Sequence, residues 1–564
     1  VPVSIERQFG EPALFEILRG DEIPADLSVR EQRILAGACA FHALMAPGRT
    51  LRLIAYDGGP TDLPRTTDDS SFSGASRAFQ RRLWTAEIRS LVADEPREHT
   101  AVEAPADELI DGDIRHIHIP RDSVLDFDPP RDISPDPVRR ALRAIRSRTP
   151  LLYDQVRDLE LLRHRRPLHS PVPRRDYAAD FLPGGIHEDA RLVPAVEAPA
   201  GAPRAVLVGM HWFEMGGAER WAFETVRMIR DAGFVPIVLA NRDSHQPWID
   251  RAELDGAVTI PFSEATALSQ TPGVEELLRA ILRTWDVRGV FVHHNQWLYD
   301  RLPWIRASRP QIPIIDTTHI VEYRGGGYPA SAVMADAPIT THHVISPALE
   351  RWMRDVQGID ADKIVMAPLV GLTVAEGVEP VFRPRSDGPF TVSFVGRIAR
   401  QKAPEVFVEA VGRIHAADPS IRFIMHGDGD MAGAIEDFIA GKGLTDVIIR
   451  RDSSVPVAET YAETDLLMIT AHNEGLTLTT LEAIAAGVPV ISTDVGAQSD
   501  IVPARALTSR NAFLAARAQA DLALRLAGDE AARRQLWHDE REAEKTLMNT
   551  QSAGEWFAQE VATW

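Results

Sequence analysis

Two Rossmann-like α/β domains in tandem, facing across a cleft and preceded by an extra N-terminal α+β region, form the fold class that the sequence predicts. Three observations predict it. At 564 residues the chain is too long for one ordinary core, and about three domains are expected. From Arg204 onward, short apolar runs alternate with turns and helical periods. A second series of the same kind begins at Phe390. Such alternation implies parallel sheets with helices on both faces.

The elements follow in order. In the first region Val29 to Leu44 has a helical pattern and Leu51 to Tyr56 reads as a strand. Asp111 to Ile119 reads as a turn into an alternating strand, and Pro137 to Arg146 and Leu151 to Arg163 read as helices. Pro167 to Pro203 is rich in Pro, Arg and Ala and reads as a linker or loose wrapping segment. In the next unit the strands are Ala205–Met210, Pro236–Ala240, Gly289–His293, Ile312–Asp316 and His343–Ser346, with a helix over about Ala218 to Ala232. In the last unit they are Thr391–Val395, Arg422–His426, Val447–Arg450, Leu466–Thr470 and Val488–Ser492. Helices are expected over Pro404–Ala416, Met431–Ala440, Val457–Glu463 and Leu478–Ala486, and the tail from Asn511 to Trp564 reads as helical, with Trp556, Phe557 and Trp564 as packing anchors. The division is therefore 1–190, a linker at 191–203, 204–384, 385–545, and 546–564 packing back on the first Rossmann-like unit.

Composition bounds the function. Hydrophobic residues are 45% and charged residues 25%, as in soluble globular proteins. The formal charge of −20 argues against a general nucleic-acid or anionic-membrane binder and leaves room only for a local basic patch. Cys39 is the only cysteine, so no disulfide framework or Cys-based metal site is expected. The opening residues Val1 to Arg7 have no basic segment followed by an apolar core, and no run approaches a membrane span. A cytoplasmic location is expected, or a peripheral one at the inner face of the membrane. Arg163 to Arg166 and Arg174–Arg175 read as solvated linker charges, or else as a surface for an acidic polymer or lipid headgroups.

Four motifs carry chemistry. Gly216 and Gly217 leave a strand and open a helix, which suits an anion as well as an ordinary capped turn. Gly396-Arg397 with Lys402 also leaves a strand, and an Arg and a Lys five apart there can converge on a diphosphate. The alternative is loop surface charge, and Arg400 between them is read as solvent-exposed. Gly427 and Gly429, in His426-Gly427-Asp428-Gly429, let the chain pass close to a base or ribose, or simply form a tight turn. Glu474 and Glu482 lie eight apart around a helix start, with Gly475, Leu476 and Thr477 offering backbone N–H groups. That pairing suits a ligand with both sugar hydroxyls and phosphate. Local capping by Glu474 and a buried, paired Glu482 are the other reading. Of the histidines, His293 and His294 with Asn295 end one strand and His319 follows another. Each of these is either a cleft residue or an ordinary core or surface residue.

Together these residues resemble the retaining, nucleotide-sugar-dependent glycosyltransferases of GT-B type, family four (glycosyl transferases group 1). The motifs that match in order and spacing are Gly396-Arg397 with Lys402, the Glu474…Glu482 pair, Gly487-x-Pro489-Val490, and Gly496 with Asp500-Ile501-Val502. The resemblance covers about 385–505 most fully and 204–385 more weakly, and it is absent over 1–200. It implies that Arg397 and Lys402 bind the donor diphosphate, that Glu474 contacts the sugar, and that Glu482 binds the ribose. It further implies that Gly216, Gly217, Gly396, Gly427, Gly429, Gly475, Leu476 and Thr477 bind the donor. His319 resembles an active-site histidine near the sugar, and His293, His294 and Asn295 are acceptor-side candidates. Ala403 stands where the family often has glycine, and Thr477 where it often has proline. Asp126-Phe127-Asp128 looks like the metal motif of the other large glycosyltransferase fold, but Pro129 and Pro130 follow it and no nucleotide-binding pattern surrounds it.

The expectation is transfer of a sugar from a nucleotide-diphosphate sugar to a glycan, lipid-linked or small-molecule acceptor. Synthesis of a glycan, cell-surface polysaccharide or glycoconjugate is the expected setting, with no cofactor and no metal. A nucleotide-sugar epimerase of the same fold and a non-catalytic scaffold are the competing readings. Residues 1–190 are read as a surface for a protein partner or a second copy.

Overall fold

The computed structural model describes residues 12–57, 81–93, 113–126, 137–156, 170–175, 198, 200–262, 274–321, 327–369 and 379–564, except Asp154, Met215 and Ser386. Three sheets organise them. The first contains β1 (Phe15–Arg19), β2 (Thr50–Asp57), β3 (Arg81–Ser90) and β4 (Ile114–His118) in the order β1-β3-β2-β4. It is mixed: β3 runs antiparallel to β1 and β2, whereas β4 runs parallel to β2.

The helix Val29–Met45 joins this sheet to the next. It starts on a capping box, Ser28 with Glu31, and is apolar nearly all round, so it is buried on several faces. It crosses Val258–Pro261, the edge strand of the second sheet, so closely that a Cβ on Gly37 would lie 2.6 Å from the carbonyl oxygen of Thr259. Phe41 stacks on Phe262, and the buried Arg30 donates to the carbonyls of Pro120 and His245. The first sheet thus shares one core with the first Rossmann-like lobe.

That lobe has seven parallel strands: β5 (Arg204–Met210), β6 (Val235–Ala240), β7 (Val258–Pro261), β8 (Asp286–His293), β9 (Ile314–Thr318), β10 (Thr341–Val344) and β11 (Ile364–Met366). Their order is β11-β10-β9-β8-β5-β6-β7. The second lobe has β12 (Thr391–Val395), β13 (Arg422–His426), β14 (Ile448–Arg451), β15 (Leu466–Ile469), β16 (Val490–Thr493) and β17 (Leu507–Thr508), in the order β14-β13-β12-β15-β16-β17. Both orders reverse direction beside the first strand of the lobe, and ligands bind at such switch points, at the carboxyl ends of the strands.

The chain end returns to the first lobe. Within the helix Ala553–Val561, Trp556 stacks on His343 and Phe557 packs edge-on against Phe291. The Trp564 ring lies over Gly289, where a Cβ would approach it to 2.5 Å. These aromatics hold the tail in place by burial and edge contacts.

Two sequence readings are sharpened. The tail is three helices, Ala512–Ala527, Glu530–Met548 and Ala553–Val561, broken at capped turns led by Asp529 and Ser552. Arg174 is exposed, as read, but it is also tied to the first lobe. It donates to the Gln357 carbonyl at 3.0 Å and pairs with Asp336, and the Val172 N–H donates to the Gln357 side chain. Segment 170–175 is therefore pinned to the first lobe. Arg163 to Arg166, most of the expected helix 151–163, and Phe127 and Asp128 lie outside the described residues.

Candidate active site

The loop after β12 and the loop after β13 lock into each other. Gly427 and Gly429 adopt φ values of 135° and 157°, and a Cβ on either would strike the carbonyl of Gly396 or Ile398 at 2.0 or 2.4 Å. The Ile398 N–H donates to the Asp428 carbonyl at 2.7 Å. The close approach these glycines permit is thus backbone against backbone. It fixes the loop that carries Arg397, which is exposed at the end of β12.

Lys402 reaches back from the short 3-10 turn Arg400–Lys402. Its Nζ lies 2.6 Å from Oε1 of Glu474, and the glutamate side chain is 5% exposed. Arg400 is not the solvent charge that its position suggested. It pairs with the buried Glu405 and sits against His472 Nε2 at 2.6 Å, tying the turn to the helix Pro404–Ala417. Ala403 ends the turn in the left-handed region, φ 47° and ψ 56°, which explains why glycine suits that position.

Glu474 leads into the helix Leu478–Ala485. Among the described residues, no acceptor meets the N–H groups of Leu476 and Thr477. The hydroxyls of Thr477 and Thr479 are buried without a partner. A helix N-terminus with free N–H groups and unsatisfied hydroxyls favours an anion with hydrogen-bonding oxygens. Glu482, inside this helix, accepts a 3.0 Å bond from the buried Tyr461 hydroxyl. Burial raises its pKa above the usual carboxylate range, against the Tyr461 bond and the positive charges of Arg220 and Lys402.

The first lobe closes over this face at three points. A Cβ on Gly475 would lie 1.8 Å from the His319 carbonyl, so only glycine fits where the two backbone segments touch. A Cβ on Gly217 would lie 3.3 Å from Leu478, so the Gly216–Gly217 turn faces the helix start. Asp500 accepts from the Ala348 N–H at 3.1 Å and from Arg351 at 2.7 Å. Beside Gly216, Glu219 is buried with His211 and the Trp212 N–H each at 3.1 Å from Oε1. Burial opposes its ionisation, but the His211 bond and charge prevail and hold its pKa below the usual value.

The histidines separate. His294 and His319 form an edge-to-face pair 5.0 Å apart, and His294 stacks on Tyr328. Nε2 of each is buried without a partner. Burial pulls His294 down to about 4 and His319 well below its ordinary value, so both rings are neutral near pH 7. His293 instead bonds Thr225 at 3.0 Å inside the core. Asn295 is fully buried, donates to the Met210 carbonyl at 2.8 Å and caps the helix Gln296–Ser308. These bonds make it a structural tie with no open face for an acceptor.

A cavity of about 300 Å³ lies between the lobes on one side of Glu474. Leu349 and Trp352 line it from the first lobe, and Asn473, Glu474, Val495 and Arg510 from the second. Trp352 opens a π-helical turn, Trp352–Val356, a backbone form often found at functional sites. Sequence reasoning missed Thr479, Arg220, Trp352 and Arg510. Thr479 and Arg220 lay inside motifs already singled out, whereas nothing in one sequence marks a cavity wall.

Two family models match these lobes: Glycosyltransferase Family 4 over residues 215–369 and Glycosyl transferases group 1 over residues 389–534. Together they take in just over half of the chain. The chain belongs to the group 1, family 4 glycosyltransferases. It is a glycosyltransferase of GT-B type, with the mixed N-terminal sheet as an addition. The D-inositol 3-phosphate glycosyltransferase of Stackebrandtia nassauensis is 24% identical over 350 residues, 52% of this chain and 77% of the relative. Those of Geodermatophilus obscurus and Nocardia farcinica are 30% and 27% identical over 36% and 41% of this chain, and the chain spans 52% and 57% of their lengths. Among solved structures, Anabaena Alr3699/HepE in complex with UDP and glucose aligns over 64% of this chain and 98% of its own at 15% identity, with a TM-score of 0.49. The family assignment stands without that alignment. Among the described residues, no helix is long and apolar enough to cross a membrane.

Proposed function

We propose that this glycosyltransferase moves a sugar from a nucleotide-diphosphate sugar to an acceptor hydroxyl with retention of configuration. The observation that carries the reading is the Lys402–Glu474 pair at 2.6 Å beside the free N–H groups of Leu476 and Thr477. A cation, a helix start and a carboxylate converge there, and Arg397 stands on the neighbouring loop. In this reading Arg397, Lys402 and the helix start hold the diphosphate, and Glu482 accepts the ribose hydroxyls. Glu474 accepts a hydroxyl of the sugar, and the neutral rings of His319 and His294 bond the sugar and acceptor from the first lobe.

The bond from the anomeric carbon to the phosphate oxygen breaks, and a bond to the acceptor oxygen forms on the same face. The acceptor proton passes to the departing phosphate, whose charge Arg397, Lys402 and the helix start stabilise. The cavity at Glu474 and Trp352 holds the acceptor, and Arg510 at its wall suits an acceptor bearing phosphate. The relatives' name makes D-inositol 3-phosphate the first acceptor to try. The test is a thermal-shift screen with UDP-, GDP- and ADP-sugars, followed by a product search with the best donor. No shift with any of them, and no transfer, overturns the reading.

A further inference from the structure

The helix Pro137–Arg148 belongs to no family model and contributes nothing to the site just described. It packs against the helix Ala432–Gly441 of the second lobe. Val138, Leu142 and Ile145 follow the i, i+4, i+7 spacing of one helical face, and they are 63%, 43% and 50% exposed. On a helical wheel Arg146 and Arg148 border that face on its two sides. The sequence from Pro137 to Val156, over which the exposed apolar residues run, holds five arginines and one acidic residue, Asp154, in a chain of net charge −20. That local charge is opposite in sign to the net charge of the chain.

The apolar face continues past the break at Thr149. Leu152 and Val156 are exposed, and between them and the helix Leu151 packs on Ala512, Ala515 and Ala516. That contact brings in Phe513 and Leu514, exposed at the start of the helix Ala512–Ala527. Seven of the fourteen exposed large apolar side chains among the described residues therefore lie on two adjoining segments. Arg510 and Arg517 flank the second segment, and Arg510 also lines the cavity beside Glu474.

We propose that this face docks on an anionic lipid surface. An apolar stripe bordered by arginines inserts at the headgroup level and is attracted by negative lipids. Arg510 places the cavity mouth next to the docked face, so an acceptor carried by the same surface is within reach. That last step rests on the transfer reading, whereas the docking does not. Vesicle binding reads the one and product formation the other.

The experiment is co-sedimentation of the full chain with vesicles of pure phosphatidylcholine and of equal parts phosphatidylcholine and phosphatidylglycerol. The expected result is partition onto the anionic vesicles, weakened by salt, and about tenfold or more weaker for the Leu142→Ser/Ile145→Ser/Phe513→Ser variant. All three side chains are exposed, and the variant's circular dichroism and melting temperature check its fold. A second variant, Arg146→Glu/Arg148→Glu, should lose the preference for anionic vesicles. A protein that stays in the supernatant, or a serine variant that binds as well as the parent, overturns the proposal. So does a chain that ignores vesicles but forms a dimer which the serine variant dissolves, since the face then belongs to a second copy.

Discussion

Lys402 is the residue whose removal separates structure from chemistry most clearly. Its ammonium pairs with Glu474 at 2.6 Å, with the lysine side chain 23% and the glutamate 5% exposed. Lys402→Met strands a nearly buried carboxylate. Breaking a buried pair from one side costs about 3–5 kcal/mol, and the water at the lysine end points to about 3. In the proposed reaction the same change removes a cation from the departing diphosphate. Such groups contribute about 3–4 kcal/mol to the transition state, which is on the order of a hundred- to a thousand-fold in turnover. In Lys402→Met/Glu474→Gln no charge is stranded, so stability should return to within about 1 kcal/mol of the parent. Turnover should not return. The assay is thermal unfolding beside initial-rate kinetics for parent, both single variants and the double variant. A double variant that regains turnover along with stability would show that Lys402 only neutralises Glu474.

Four further outcomes are expected. Arg397→Ala, at an exposed loop position, should lower turnover several hundred-fold while leaving the melting temperature near that of the parent, because a lost anion-stabilising group is on the order of 3–4 kcal/mol; normal turnover removes Arg397 from the mechanism. Ala403→Gly should raise thermal stability by up to about 1 kcal/mol by relieving the left-handed backbone, and a fall would show that the methyl packing outweighs the strain. EDTA should leave transfer intact, whereas loss restored by manganese would bring Asp126 and Asp128 back into consideration. The fourth concerns His342, which is buried between Asp316 at 3.3 Å and Asp336 at 3.2 Å. Burial disfavours its charge, but bonds to the two carboxylates prevail and raise its pKa. A raised folded value means that its stabilisation is complete below the ordinary histidine range and is lost as pH rises through the folded value. The melting-temperature gap between parent and His342→Gln should therefore narrow from mildly acidic to alkaline pH, and a widening gap would contradict the assignment.

Much of the architecture was legible because parallel strands buried on both faces leave continuous apolar runs, as in Val206 to Val208 and Phe423 to Met425. Shorter or edge strands were not. Val258 to Pro261 carries a proline, and Leu507–Thr508 is two residues long. The cluster of Lys402, Glu474 and Thr477 was legible for a local reason: these residues lie on loops that directly leave strands. The histidines were harder. His293 and His294 are neighbours in sequence, yet one bonds Thr225 in the core and the other turns into the His319 pair. A backbone φ of 52° at His294 makes that difference, and spacing does not encode it. Asn295 reads as a polar cleft residue until its side chain is seen tying β5 and β6 to a helix start. Gly475 and Gly427 read as ligand-facing glycines, but what each needs is room for another backbone, His319 in one case and Gly396 in the other.

The central claim is that Arg397, Lys402, Glu474 and Glu482 hold a nucleotide-diphosphate sugar for transfer on its own face. Proton NMR of the reaction with the best donor and its acceptor tests this most directly. The account predicts free nucleoside diphosphate and a glycoside with the donor's anomeric configuration. An inverted glycoside, or an epimerised sugar still joined to its nucleotide, would contradict it.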